Sequence, residues 1–424
     1  MLPGEPNVQI TVLANGFTVA TERMPEIATA TLGVHVGTGS RYEREGEHGL
    51  SHLIEHMAFK GTRTRSARQI AEDIENVGGD INAATSVETT SYTARVLAED
   101  IGVGLDVLGD ILTNSSFDEG ELAREKGVIL QEHASVEDAP DDLVYDVFME
   151  TAFPGQAIGR PILGRPETIA ALDGEAIRAF MDREYAPDRM VLAAAGGLDH
   201  AAVVDAAERA FGHLPARPQP PVDAGVYQGG ERRMSRKLEQ ANVVIGLPGV
   251  SFKDPTYYAT HMFAHVLGGG LTSRLWHEVR ETRGLAYAID AFHWPFSDCG
   301  LFGIGAGTAA KDLADLVAMT ADCARAAVVD IDAAELARAK AQLKVALLAG
   351  LETPGGRIER LARQLLAWGR VIPPAEVIAK VNAVTVDAVR EAGQAVLAGP
   401  PTLAAIGPIK GLPKLEVLRA RLAA

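Results

Sequence analysis

The chain has only two cysteines, Cys299 and Cys323, among 424 residues. That excludes a disulfide framework as the source of its stability. No stretch is long and apolar enough to span a bilayer. Met1-Leu2-Pro3-Gly4-Glu5-Pro6 lacks the basic start and apolar run of a signal peptide. The expectation is a cytoplasmic protein with no membrane partner. Positive charge is scarce: 40 Lys and Arg stand against 56 Asp and Glu, a net charge of −16. Such a balance argues against nucleic-acid binding and suits a basic partner, although solubility accounts for most of it. Gly268-Gly269-Gly270 lacks the Gly-Lys-Ser/Thr ending of a phosphate loop.

A composition of 47% hydrophobic and 23% charged residues can bury real cores and is not that of a disordered chain. The length suggests two domains of about 200 residues each. Val8 to Glu22 alternates like a hairpin with Asn15-Gly16 at its turn, and Thr29 to Gly37 reads as a strand. Ser66 to Val77 is an amphipathic helix closed by Gly78-Gly79. Asp80 to Ala94, rich in Thr and Ser with alternating apolar residues, reads as strand. Helices are expected over Ala98–Thr113, Asp118–Glu137 and Pro166–Tyr185, and a strand over Met190–Ala195. His213 to Gly230, with Pro215, Pro218, Pro220 and Pro221, reads as a linker. The boundaries are therefore a domain at 1–212, a linker at 213–230 and a domain at 231–424.

The most informative stretch is Gly49-Leu50-Ser51-His52-Leu53-Ile54-Glu55-His56-Met57-Ala58-Phe59-Lys60-Gly61-Thr62. Leu53, Ile54 and Met57 among polar positions give a helical pattern. On a helix, His52 and His56 project from one face, bordered by Glu55. Two imidazoles on one face suit a tetrahedral Zn2+ with Zn–N bonds of ~2.0–2.1 Å, and an adjacent carboxylate can take a proton from water there. His-x-x-Glu-His is the inverzincin signature. Two histidines at helix spacing also occur as ordinary hydrogen-bonded residues, so the weight falls on a third ligand.

Glu125 and Glu132, in Glu121-Leu122-Ala123-Arg124-Glu125-Lys126-Gly127-Val128-Ile129-Leu130-Gln131-Glu132-His133, are two helical turns apart and share a face. Leu122 and Ile129 flank Glu125 and place that face at a core boundary. One of these acids can complete a His2Glu set with an open fourth position. The other can hold a histidine by its free ring N–H.

These residues together resemble the M16 metallopeptidases, the pitrilysin, insulin-degrading and processing-peptidase group, and most closely its short-subunit branch. The resemblance implies that Glu132 is the third zinc ligand, that Glu125 supports a histidine from behind, and that Glu55 is the general base. It also implies an α+β fold of two homologous α/β sandwich domains, each a mainly antiparallel sheet with helices packed to one side. Periodicity alone gives only mixed helix and strand. Asn82 and Ala83 match positions beside the substrate on an edge strand, and Glu88 is typical of the family without a ligand role.

The second half repeats the first. Glu121-Leu122-Ala123-Arg124-Glu125-Lys126 returns as Glu335-Leu336-Ala337-Arg338-Ala339-Lys340, and in that register Glu132 becomes Ala346. His52 to His56 can be set against His261-Met262-Phe263-Ala264-His265, with Ala264 in place of the base. A copy without these acids is not expected to bind catalytic zinc. Its most distinctive segment runs from Gly268 to Tyr287, and the resemblance implies that Arg280 and Tyr287 hold substrate there, by a donor fork and a hydroxyl. The expected protein is a zinc endopeptidase with one Zn2+ per chain. The resemblance implies that it acts on peptides or unfolded segments in an enclosed chamber formed by paired subunits, and because both sets of residues lie in one chain the expected pair is a homodimer. A non-catalytic scaffold subunit and a slow peptide-binding module are the rival readings.

Overall fold

A computed structural model describes residues 7–218 and 222–423. The N-terminal hexapeptide and residues 219–221 of the expected linker lie outside the described residues. The chain divides into two compact units.

The first unit contains residues up to His133, Pro161–Val222 and Leu347–Ala375. Its strands are β1 (Val8–Val12), β2 (Thr18–Arg23), β3 (Thr29–Val36), β4 (Asp80–Thr85), β5 (Thr90–Leu97) and β6 (Met190–Gly196). They form one sheet in the order β1-β2-β6-β3-β5-β4, antiparallel except for the β2–β6 pair. The β1–β2 turn uses Gly16 at φ 95°, a conformation that glycine adopts without a Cβ penalty. Helices α1 (Leu50–Met57), α2 (Ala67–Glu75), α3 (Ile101–Thr113) and α4 (Glu119–Glu137) follow in chain order.

The second unit contains Ala134–Arg160, Asp223–Ala346 and Glu376–Ala424, so it begins within the last turn of α4. It takes α5 (Pro140–Ala152), whereas α6 (Pro166–Ala171), α7 (Gly174–Glu184) and α8 (His200–Phe211) return to the first unit. Strands β7 (Gly230–Ser235), β8 (Gln240–Gly249), β9 (Ala286–Pro295), β10 (Gly300–Ala309) and β11 (Thr402–Gly407) form a sheet in the order β7-β11-β8-β10-β9. Again a single pair, β7–β11, is parallel. Without β1, the two sheets have one topology, as a duplicated domain requires. Helices α9 (Tyr257–Gly268), α10 (Leu313–Asp330), α11 (Ala333–Gly350), α12 (Pro354–Trp368), α13 (Pro374–Ala383), α14 (Val386–Leu397) and α15 (Leu415–Ala423) complete the chain. The repeated motifs fall on equivalent elements: the histidine pairs on α1 and α9, the Glu-Leu-Ala-Arg segments on α4 and α11.

The units are not contiguous halves. Each sheet has most of its helices on one face and a single helix, drawn from the other half of the sequence, on the second. In the first unit, β6 is buried along its whole length. Leu192 and Ala194 enter the main core, while Val191, Ala193 and Ala195 pack with Ile358, Leu361 and Ala362 of α12. That is the strand alternation expected when both faces are covered. In the second unit α5 plays the matching part. A Cβ on Gly246 of β8 would lie 2.0 Å from the Phe148 ring, so glycine there admits the aromatic side chain.

Two expected elements are subdivided. Asp80 to Ala94 is not one strand but the hairpin β4–β5, because Ser86 and Thr89 close a turn with a backbone bond of 2.8 Å and a hydroxyl–hydroxyl contact of 2.9 Å. Pro166 to Tyr185 is two helices, since the Asp173 carboxylate caps a new start by accepting from Ala176 N at 2.8 Å. Residues 215–218 and 222–229 carry no helix or strand.

Candidate metal centre

Helix α1 is set by a buried acid upstream. The Glu43 carboxylate accepts from the backbone N–H of Gly49 at 2.9 Å and of Ser51 at 2.8 Å, filling donors that a helix start leaves without partners. Leu50, Leu53, Ile54 and Met57 are buried, which turns His52 and His56 to the adjoining, half-buried face. On α4, burial of Leu122, Glu125 and Ile129 holds the acidic face against these histidines.

The structure brings His52, His56 and Glu132 together as the one group of three or more potential metal ligands among the described residues. The two Nε2 atoms are 3.2 Å apart, and each lies 3.7 Å from a Glu132 oxygen. Adjacent donors on a tetrahedral centre with bonds of ~2.0–2.1 Å stand ~3.3–3.4 Å apart. His52 Nδ1 and Glu132 Oε2 are buried atoms without a hydrogen-bond partner among the described residues. The unpartnered Glu132 oxygen and the converging imidazole Nε2 atoms fit a metal ion. Burial, with the His56 charge acting in the same direction, lowers the His52 pKa to about 4 against the opposing pull of Glu132. The ring is therefore neutral near pH 7, the form that offers a lone pair.

Glu125 stands behind His56, its Oε2 3.0 Å from Nδ1. With Nδ1–H donating to this carboxylate, the tautomer leaves Nε2 bare and aimed at the cluster. Glu55, on the same turn of α1, makes no hydrogen bond or ion pair among the described residues. Its neighbours are Tyr92 and Tyr185, whose hydroxyls are 2.8 Å apart. Burial raises both phenols, and the Glu55 charge adds to this.

Asn82 and Ala83 lie on β4, the edge strand of the first sheet. Asn82 is exposed and Ala83 half-buried, and Thr85 Oγ1 donates to Ser51 O of the histidine helix at 3.4 Å. Glu88 accepts from Arg41 Nη1 at 2.7 Å. Arg280 and Tyr287 belong to the second unit. Arg280 sits on a π-helical turn, Trp276–Thr282, with its guanidinium 3.9 Å from the Trp276 ring centroid and 4.9 Å from that of Tyr287. It has no carboxylate partner among the described residues, so its N–H fork is held by stacking alone. In the second copy, His265 Nε2 is 2.7 Å from Gln342 Oε1, and among the described residues His261 makes no ion pair with an acid and its Nδ1 has no hydrogen-bond partner.

Sequence reasoning missed Glu43, Trp276 and Lys60. The first two left local signals, an acid shortly before a helix start and an aromatic residue one turn before Arg280. Lys60 Nζ lies 2.8 Å from Glu125 Oε1, a contact across 65 residues that nothing in the motif announces.

A His2Glu cluster in the first of two repeated α+β units, with Glu55 on the same helical turn as the histidines, is a zinc-protease-like arrangement. Residues 18–166 match the family described as Insulinase (Peptidase family M16), and residues 171–343 match Peptidase M16 inactive domain. An uncharacterized zinc protease of Streptomyces coelicolor is 38% identical over 417 residues, covering 96% of this chain and 91% of that one. The mitochondrial-processing peptidase subunit beta of Blastocladiella emersonii is 35% identical, covering 98% and 91%. The chain belongs to peptidase family M16. A solved peptidase M16 inactive domain from Pseudomonas fluorescens, 21% identical, superposes with a TM-score of 0.88 over 96% of this chain and 99% of that one. A chain of complex III2 from Candida albicans, 24% identical, gives 0.87 over 98% and 99%. At these identities the two structures speak to the fold alone.

Proposed function

We propose that this chain is a zinc-dependent endopeptidase acting on peptides or unfolded segments, with one zinc held by His52, His56 and Glu132. The observation that carries the proposal is the convergence of these three side chains at the helix face that Glu55 borders, a carboxylate with no hydrogen bond or ion pair among the described residues. When bound, zinc supplies Lewis acidity that polarises a carbonyl and acidifies water. Glu55 takes the proton of the attacking water and returns it to the departing amine. Glu125 keeps His56 in the tautomer that presents Nε2.

The remaining residues hold and orient substrate. The β4 edge offers main-chain groups to an extended peptide, which joins as a further strand beside Asn82 and Ala83. The free fork of Arg280 and the Tyr287 hydroxyl suit a peptide carbonyl. The chain carries both sets of residues, which favours a homodimer enclosing substrate over an obligate pairing with a different subunit. The net charge of −16 favours basic substrates.

Mass spectrometry of the products from a random peptide library, beside a Glu55→Gln control, tests this reading. Cleavage by the wild-type chain and none by the control is the expected result. No zinc and no cleavage would leave the scaffold reading, and zinc without turnover the peptide-binding one.

A further inference from the structure

Glu125 is only 6% exposed, yet both of its oxygens are matched: Oε2 to His56 Nδ1 at 3.0 Å and Oε1 to Lys60 Nζ at 2.8 Å. Lys60 lies four residues after His56, just past the end of α1. We infer that Lys60 is a positioning residue of the metal centre: its ammonium pins the Glu125 carboxylate so that this carboxylate can orient His56. The inference rests on reading His52, His56 and Glu132 as the zinc ligands.

Lys60 has two effects of opposite sign. Its positive charge repels a cation, so removing it by charge alone would tighten zinc binding. It also anchors a buried carboxylate, and removing it leaves Oε1 without a partner. An unmatched buried oxygen turns toward whatever water or donor it can reach, and in this rigid group Oε2 then leaves His56 Nδ1. The charge effect is the weaker one. The Lys60 side chain is 31% exposed and therefore screened, and the imidazole and the carboxylate both stand between it and the ligand nitrogen. The anchoring effect acts through a carboxylate–histidine pair of the kind whose loss typically costs ~10–100-fold in metal affinity. Lys60 therefore strengthens zinc binding despite its charge.

The experiment is chelator competition with zinc on the full chain, giving affinity and release rate for wild type, Lys60→Met, Lys60→Arg, Glu125→Gln and the Lys60→Met/Glu125→Gln double variant. The metal-free melting temperature of each is measured alongside. Lys60→Met should weaken zinc binding roughly tenfold, the low end of that range, and lower the metal-free melting as well, because a buried carboxylate oxygen loses its partner. Lys60→Arg should recover most of the affinity. The double variant should be no weaker than Glu125→Gln, since Lys60 acts through Glu125. If Lys60→Met fails to fold, Lys60→Gln carries the same comparison. Unchanged or tighter binding in the neutral variant, or a fully additive double variant, overturns the inference alone. A wild-type chain that takes up no zinc overturns it together with the reading on which it rests.

Discussion

Glu43 is the acid on which the histidine helix depends, and replacing it tests how far α1 is built by capping. The residue is 3% exposed, and its carboxylate receives two backbone amides, Gly49 N at 2.9 Å and Ser51 N at 2.8 Å. Hydrogen bonds to a charged group contribute about 1.5–3 kcal/mol each, and a buried donor left bare costs a similar amount. Glu43→Ala should therefore destabilise the first unit by about 3–6 kcal/mol. For a unit of this size that is on the order of 10 °C in melting temperature. Glu43→Gln keeps one carbonyl acceptor but turns an amide N–H toward the second donor, and should fall between alanine and wild type. Urea titration followed by far-ultraviolet circular dichroism, with metal removed, reads the change. A Glu43→Ala chain within about 1 kcal/mol of wild type would refute the assignment, because two buried amides could not then depend on this carboxylate.

His52→Ala, His56→Ala and Glu132→Gln should each empty the metal site, whereas Glu125→Gln should weaken zinc by ~10–100-fold without emptying it. Metal analysis after dialysis decides this, and the reverse order for the two glutamates would exchange their roles. Burial lowers the pKa of His35 to about 4; Glu359 Oε2, 3.8 Å from Nδ1 on a side chain 52% exposed, does not offset it. Below the ordinary value near 6.5, the unfolded chain takes a proton that the folded chain refuses, so stability falls as pH drops from about 6.5 toward 4, by up to about 3 kcal/mol. Urea titrations across that range should show a shallower fall for His35→Gln, and parallel curves would contradict the assignment.

The parts of the site legible in sequence were those fixed by local periodicity. His52, Glu55 and His56 share one helical turn, and Glu125 and Glu132 share one face of another helix, so spacing alone placed each group. That both faces meet was carried by the family resemblance, because nothing in either helix encodes its partner. The repeat was legible for the same reason as the motif, through short identical segments on α4 and α11. The crossed allocation of α5 and α12 was not. An amphipathic helix records that one face is buried, and Phe148 or Leu361 would look the same against any apolar sheet. The β4–β5 turn was hidden because Ser86 and Thr89 serve a strand pattern as readily as a turn. Lys60 went unread because its role depends on Glu125, which only the folded chain sets beside it.

The most direct test of the account is the zinc content of the purified chain, measured with its rate of peptide cleavage, for wild type and Glu55→Gln. The account predicts one zinc per chain in both, cleavage by wild type, and a rate lower by ~10^2–10^4 in the variant. Near-wild-type cleavage by Glu55→Gln at equal zinc content would contradict it, as would a wild-type chain that holds no zinc.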